Sequence, residues 1–357
     1  MPRALPWKPI TLVAAAIAIL LSLLLLPACC CLRKGMPAMK LPEPPPSRIP
    51  EIGSQDIPTP TEAQAKAPVE AMMRNVDFHI DATTVMHIHS LRGQFVAKVA
   101  GKPVNFDNKT EFVVKIDKAK IGMDSVGLDQ LMNRYVFGYD GAPLKNLHVV
   151  PEGKQLIQSG IMHKGVDIPF TMYGDVSATP DGRIRIHPTK LDICGINGLG
   201  LLKALGLSME KMLDLSKAKG VQAEKNDLLL EPTKILPPPQ IDAHLAEVHV
   251  EGSELVQVFD GGMHLGDLTL PYPNEKNAMY YRHGTLRMGK LLMIDADMEV
   301  TDTDPRDPFD FFIDRYNDQL VAGFEHNTAV YGLMVFMRDY GDLGLPLQPG
   351  ERSAPKE

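Results

Sequence analysis

The stretch VDFHIDATTVMHIHS, from Val76 to Ser90, carries the clearest structural signal in the chain. Its even positions read Val76, Phe78, Ile80, Ala82, Thr84, Met86 and Ile88, and its odd positions Asp77, His79, Asp81, Thr83, Val85, His87 and His89. Successive side chains of a strand point to opposite faces. A period of two with one apolar and one mostly polar side therefore predicts a long strand covering a core on one face.

Working outward, a second strand is predicted around Phe95–Val99. A third runs through Phe112, Val114 and Ile116, with Glu111, Lys115 and Asp117 opposite. Asp124 or Ser125 then caps a helix whose stripe is Leu128, Leu131, Met132, Tyr135 and Val136. Strands resume at Leu147–Val150, Leu156–Met162 and Ile168–Val176. Thr179-Pro180-Asp181-Gly182 turns the last of these into Arg183–His187 as a hairpin. A strongly apolar helix is predicted over Leu199–Leu215; a helix so rich in leucine and methionine must be covered on most sides. After the break at Leu236-Pro237-Pro238-Pro239, a strand runs from Ile241 to Val250. Long one-faced strands with two apolar helices predict an α+β fold, a long curved antiparallel β-sheet wrapped around the two helices. A smaller C-terminal α+β extension covers 253–345. It has a strand pair over Leu286–Val300 bent at Gly289, and a helix capped by Asp307 with the stripe Phe309, Phe312, Ile313, Tyr316, Leu320 and Val321. A strand from Val330 to Met337 follows, and residues 346–357 read as a disordered tail.

The first 34 residues have a different character. Arg3 and Lys8 precede an uninterrupted apolar run from Ile10 to Leu26, the pattern of an export signal. Leu26-Pro27-Ala28-Cys29 reads as a lipobox with Cys29 as the lipidated residue. The alternatives are an uncleaved transmembrane anchor, which Arg33 and Lys34 flank, or plain secretion. Each of these places the remainder outside the cytoplasm, on the periplasmic side of a cell envelope. Nine prolines between Met36 and Pro68 predict an extended spacer over 35–70, and a β-rich domain follows over 71–252. The chain has 37 Lys and Arg against 44 Asp and Glu. With four of the basic residues and none of the acids in 1–34, the remainder is acidic, which argues against nucleic acid as a partner. Cys194, the one cysteine beyond residue 31, reads as a small buried apolar side chain.

Three local sequences carry a resemblance. They are Val166-Asp167-Ile168-Pro169-Phe170 after Lys164-Gly165, the following Gly174, and Ile184-Arg185-Ile186-His187-Pro188 after the hairpin turn. Together with the order strand, strand, helix, meander, apolar helix, they resemble the LmeA-like phospholipid-binding family of the tubular lipid-binding superfamily. The resemblance covers about half the chain and stops near Val250; the proline spacer and the C-terminal extension depart from the family. It implies an elongated cup that binds acyl chains and a role in envelope lipid homeostasis.

Motifs for catalysis, cofactors and metals are weak. His87 and His89 share a strand face with His79 nearby, but spacing fixes no third ligand, and they read as solvated polar-face residues. The acids Asp295, Asp297, Glu299, Asp302, Asp304 and Asp307 read as a solvated face and a helix cap, without the Gly-containing loop of a calcium site. Gly122–Gly127 does not meet the Gly-x-Ser-x-Gly spacing of a nucleophile elbow, and no phosphate loop or dinucleotide fingerprint occurs. Asn108-Lys109-Thr110 matches a glycosylation acceptor, relevant only in a eukaryotic secretory pathway. The leading expectation is a non-enzymatic lipid-binding or lipid-transfer protein, without cofactor, taking phospholipid or fatty acid. Phe78, Ile80, Met86, Phe112, Val114, Leu131, Phe170, Met172, Leu202 and Leu205 are the expected groove residues. The alternative is an envelope interaction module whose apolar faces meet in a solid core and whose acidic surface binds a protein partner. A lipid-processing hydrolase is a third class, with no residues marked by spacing.

Overall fold

The computed structural model describes residues 60–354, apart from 264, 266–268 and 329–331. About half of the described residues are strand and about 15% helix. A capping box between Thr61 and Gln64 opens α1 (Glu62–Lys66), a helix within the stretch expected to be spacer. β1 (Val69–Asp81), β2 (Thr84–Ala97), β3 (Val104–Asn105) and β4 (Phe112–Met123) follow. Asp124 accepts a hydrogen bond from the Gly127 N–H at 2.8 Å and caps α2 (Ser125–Gln130), which continues as a π-helical turn over Leu131–Val136. Next come β5 (Leu144–Glu152), β6 (Gln155–His163), β7 (Asp167–Ala178), β8 (Ile184–Ile193) and β9 (Ile196–Asn197). Short helices α3 (Gly198–Ala204) and α4 (Met209–Met212), β10 (Val221–Glu224), β11 (Asp227–Leu230) and α5 (Pro232–Ile235) complete the central stretch. The last part holds β12 (Gln240–Asp242), β13 (Leu245–Glu251), β14 (Glu254–Asp260), β15 (Ala278–Met288), β16 (Leu291–Asp302), β17 (Phe309–Phe312), α6 (Tyr316–Ala322), β18 (Phe324–Asn327) and β19 (Leu333–Met337).

Two sheets result. The first runs β13-β14-β4-β2-β1-β15-β16-β19-β18, with β12 beside β4, β17 beside β1 and β3 beside β15. The second, β10-β11-β8-β7-β6-β5 with β9 on β8, is antiparallel throughout and is built from the segment between β4 and β12. Residues 253–345 therefore extend the first sheet. α2 lies between the sheets, touching β2 and β4 on one side and β5 on the other.

A row of parity changes accompanies the curl of the first sheet. In β1 the buried positions are odd at Val69, Ala71 and Met73 but even at Val76, Phe78 and Ile80, and Asn75 with φ +51° lies between them. The parity also switches between Ile88 and Leu91 in β2 and between Ile116 and Ala119 in β4. β15 switches at His283-Gly284 and β16 at Asp295, all with positive φ. In β2 and β4 register shifts mark an inserted residue, which rotates the alternation by one position; in β1, β15 and β16 the register runs on and residues with positive φ carry the change, so one face stays buried along each strand. Gly93 sits at a register shift where a Cβ would lie 2.2 Å from the Lys115 carbonyl oxygen, so only glycine fits.

Several sequence expectations are corrected. Val76–Ser90 is a hairpin, with Ala82-Thr83 at its tip. A two-residue turn alone would exchange odd and even positions, but the register shift between His79 and Asp81 restores them, so the period of two runs through the hairpin unbroken. Burial alone pushes the Asp81 carboxyl at this tip up, but hydrogen bonds from Tyr135 and Thr83 and the Arg134 charge outweigh it and hold Asp81 at about 2. The helix expected after Asp307 is the strand β17, paired parallel with β1 from Val76↔Phe309 to His79↔Phe312; the helix starts only at Tyr316. Burial of Phe309 and Phe311 along β1 outweighs their helical spacing. Cys194 is exposed, because Cys194-Gly195 is the two-residue turn between β8 and β9, both with positive φ. The expected tail is docked at its start: Glu351 pairs with Arg338 at 2.5 Å, and the Arg352 N–H donates to the Thr303 carbonyl at 2.8 Å.

Candidate functional site

Each sheet carries an apolar void on its buried face. The first is lined by Phe78, Ile80, Met86, Phe112 and Val114 with their neighbours, and is closed by Leu236, Pro237, Pro239 and Ile241. Phe95, Phe106 and Phe112 stack on one another at 5.6–5.7 Å beside it, with Tyr281 edge-on to Phe95 and Phe106. The second lies under α3 and α4. Its floor includes Leu144, Met162, Phe170, Met172 and Leu191, and its roof Leu202, Met209, Met212 and Leu213. Each void is narrow, about 40 Å³. That is room for a few waters and too little for an acyl chain.

The ten expected groove residues therefore separate. Five line the first void, and Phe170, Met172 and Leu202 the second. Leu131 is buried in the π-helical turn and lines neither. Leu205 is a correction: it is 61% exposed. The helix expected over Leu199–Leu215 ends at Leu205, where Gly206 with φ +64° donates to the Lys203 carbonyl and Leu207 N–H to the Leu202 carbonyl. On the single short helix that remains, Leu202 faces the sheet while Leu201 and Leu205, four residues apart, face outward. Leu201 and Leu207 are each 41% exposed. This segment is not covered on most sides.

The surface around these leucines is poor in charge. From Cys194 to Met209 the only charged residue is Lys203. Of the nearby acids, Asp167 pairs with His163 at 2.6 Å, Asp192 accepts the Gly195 N–H and Glu210 the Lys225 N–H. Val166 and Ile196, also exposed, belong to the same end of the second sheet. The Lys164 ammonium donates to the Met212 carbonyl at 3.1 Å and ties the β6–β7 turn to α4.

The outer face of the first sheet carries the opposite chemistry. A polar cleft there is lined by Asp77, His79, His87, Asp124, Asp310 and Asp339 among others. The histidines do not converge on one point: His87 pairs with Asp77 at 2.6 Å, His79 with Asp310 at 2.5 Å and His89 with Glu254 at 2.9 Å. The hydrogen bond to Asp77 is the largest factor raising the His87 pKa. Below the cleft, where β15 and β17 share the edge of β1, Asn75 donates to Asn277 at 2.7 Å. Carboxylate oxygens of Asp302, Asp307 and Asp339 lie within 4.8 Å of one another. Burial pushes Asp302 up to about 8 and Asp339 to about 7, with neighbouring aspartates adding to the shift. The expectation of a solvated acidic face is overturned, because Glu299, Asp302 and Asp304 are buried. Glu299 and Asp302 lie on β16, an inner strand between β15 and β19, and Asp304 follows it.

Cys29 and the apolar run Ile10–Leu26 lie outside the described residues. Among the described residues no helix is long and apolar enough to cross a membrane. No family model, curated protein or solved structure matches the chain.

Proposed function

We propose that the chain is a non-catalytic lipid-binding or lipid-transfer protein, tethered by its N-terminus on the extracytoplasmic side of a cell envelope. The observation that carries this reading is the second void. Its walls are almost wholly apolar, and its roof is two short helices whose outer face presents Leu201, Leu205 and Leu207. In this reading the curved sheets and the apolar helical segments are the walls of a groove. A void of about 40 Å³ requires α3 and α4 to lift before a chain enters. The roof suits that motion: it is short, and Met209 and Met212 pack adaptably. The bilayer is the partner that fits the outer leucines. The rest of the exported chain is acidic and is repelled by an anionic membrane, whereas this end offers apolar side chains and Lys203.

The test is native mass spectrometry of the purified protein. A co-purifying mass that extracts as phospholipid or fatty acid is the expected result. Phe170→Asp places a carboxylate on the cavity wall and is expected to abolish that mass while the circular dichroism stays unchanged. A folded Phe170→Asp protein that keeps its lipid removes this void as the site. The narrowness of both voids supports a second reading, an envelope interaction module with a solid core; a lipid-free mass with no uptake from liposomes selects it.

A further inference from the structure

The negative charge of the exported chain is not evenly spread. The β2–β3 loop, Lys98-Val99-Ala100-Gly101-Lys102-Pro103, and the β15–β16 turn region from Thr285 to Ile294 hold four cations and no carboxylate. β3 joins the two, pairing Val104 with Leu286 and Asn105 with Arg287. Both lie at the end of the first sheet where α1 leads into β1, since Val69 pairs with Phe95 and Glu70 with Arg282. The Thr285 hydroxyl donates to the Ala65 carbonyl of α1 at 2.8 Å. An open depression of about 620 Å³ is lined there by Ala65, Lys66, Pro68, Lys98, Lys102 and Thr285 among others. Beside it Val99, Leu292 and Ile294 are each at least half exposed, and the last two stand opposite Arg287 and Thr285 in the ladder. Among the described residues Lys98, Lys102, Arg287 and Lys290 form no ion pair, and Lys66 pairs with Glu62. The bordering acids already hold donors: Asp107 accepts from the Tyr316 hydroxyl at 2.5 Å, Glu111 from the Asn108 amide at 2.8 Å and Asp295 from the Gln64 amide at 2.7 Å.

We propose that this end of the first sheet is a docking surface for an anionic phospholipid bilayer, the one that holds the N-terminus. The surface is separate from the roof of the second void, and the inference rests on the tethered reading above. Two observations select a bilayer as the occupant. The first is where the chain enters the fold: Ala65 and Lys66 of α1 themselves line the depression, so the stretch that follows the apolar run Ile10–Leu26 arrives on this face. The second is complementarity. Cations set among exposed aliphatic side chains match phosphate headgroups over hydrocarbon: the lysines and Arg287 meet the phosphates, and Val99, Leu292 and Ile294 reach the acyl boundary. Each lysine or arginine near an anionic surface is worth about fivefold in affinity. Tethering keeps the effective concentration high, so the contact need not be strong by itself. The acidic remainder is repelled by the same membrane, which fixes the orientation of the fold.

The full chain is reconstituted through its N-terminus into vesicles of phosphatidylcholine alone, or of phosphatidylcholine with about one-third phosphatidylglycerol, and amide hydrogen exchange is followed. The N–H groups of Val99, Ala100 and Gly101 report the contact, because among the described residues they make no hydrogen bond and exchange fast in a free loop. Their exchange is expected to be at least about fivefold slower in the anionic vesicles than in the neutral ones, and the difference to shrink as salt is raised. The charge-reversed pair Lys98→Glu and Lys102→Glu, both on the exposed loop, is expected to abolish the slowing while circular dichroism and flotation with the vesicles stay as in the wild type. Equal exchange in the two lipids overturns the inference, as does slowing that survives the charge reversal. Slowing confined to residues 201–207 also overturns it and leaves the roof as the bilayer contact. Slowing that follows the density of protein in the vesicles at fixed lipid composition overturns it in favour of a second copy of the chain. A chain that floats with neither vesicle removes the tethered reading itself, and this inference with it.

Discussion

The two apolar voids are alike in size and unlike in how they are closed. The first is sealed by Leu236, Pro237, Pro239 and Ile241 and flanked by the stacked rings of Phe95, Phe106 and Phe112. The second is roofed by α3 and α4, which touch one sheet and present leucines to solvent. Aromatic packing gives the first void well-defined side-chain positions, whereas the methionine-rich roof of the second re-packs at low cost. On the proposed lipid-binding reading, similar lining signifies different things: the first void is a packing remainder, and the second is the closed entrance.

Phe112→Ala tests that contrast most strongly. Phe112 is fully buried and stacked between Phe95 and Phe106, so its truncation is expected to cost about 3–5 kcal/mol in chemical denaturation. Met212→Ala in the roof is expected to cost about 1 kcal/mol or less. Equal losses would mean that the roof is as firmly packed as the main core, and would remove the basis for its opening.

The acids behind the first sheet supply the next effect. In the unfolded chain Asp302 titrates near 3.8, and in the fold near 8. Between these values the folded protein keeps a proton that the unfolded chain releases, so stability falls as the pH rises from about 4 to about 8. Asp302→Asn removes this titration. The variant is expected to be about 1–3 kcal/mol more stable than the wild type at pH 8, with little difference at pH 4, as read from urea midpoints. The second sheet's void has no ionisable lining residue, so Met212→Ala there should leave the wild-type pH slope as it is. A steep pH slope in Asp302→Asn would place its origin elsewhere.

What the sequence made legible follows the same division. In the second sheet β6 and β7 were readable because each keeps a single parity, and Thr179–Gly182 marks the hairpin from β7 to β8. The long strands of the first sheet change parity at Asn75 and at His283-Gly284, so only the phase beginning at Val76 stood out; Val69, Ala71 and Met73 lie on the same buried face in the opposite phase. Phe309 and Phe312 are three apart, as on a helix, but only tertiary pairing with β1 reveals the strand. Gly206 was a visible stop signal inside Leu199–Leu215, and heeding it would have moved Leu205 outside.

The smallest stability effect sharpens the comparison from the outside. Leu201 and Leu205 contact mostly solvent, so the pair Leu201→Ser and Leu205→Ser is expected to change unfolding free energy by less than about 0.5 kcal/mol. If the outer face of the roof meets the bilayer, the same pair should slow the transfer of a fluorescent lipid between vesicles by at least about tenfold, since each leucine loses a partition energy of order 1–2 kcal/mol. Val321→Ser, at a residue 85% exposed on α6 in the other sheet's region, serves as the control and is expected to leave transfer unchanged. Transfer that falls equally in both variants would reflect general loss of surface apolarity. Transfer unaffected in either would separate the exposed leucines from uptake and return the roof to the status of a plain surface segment.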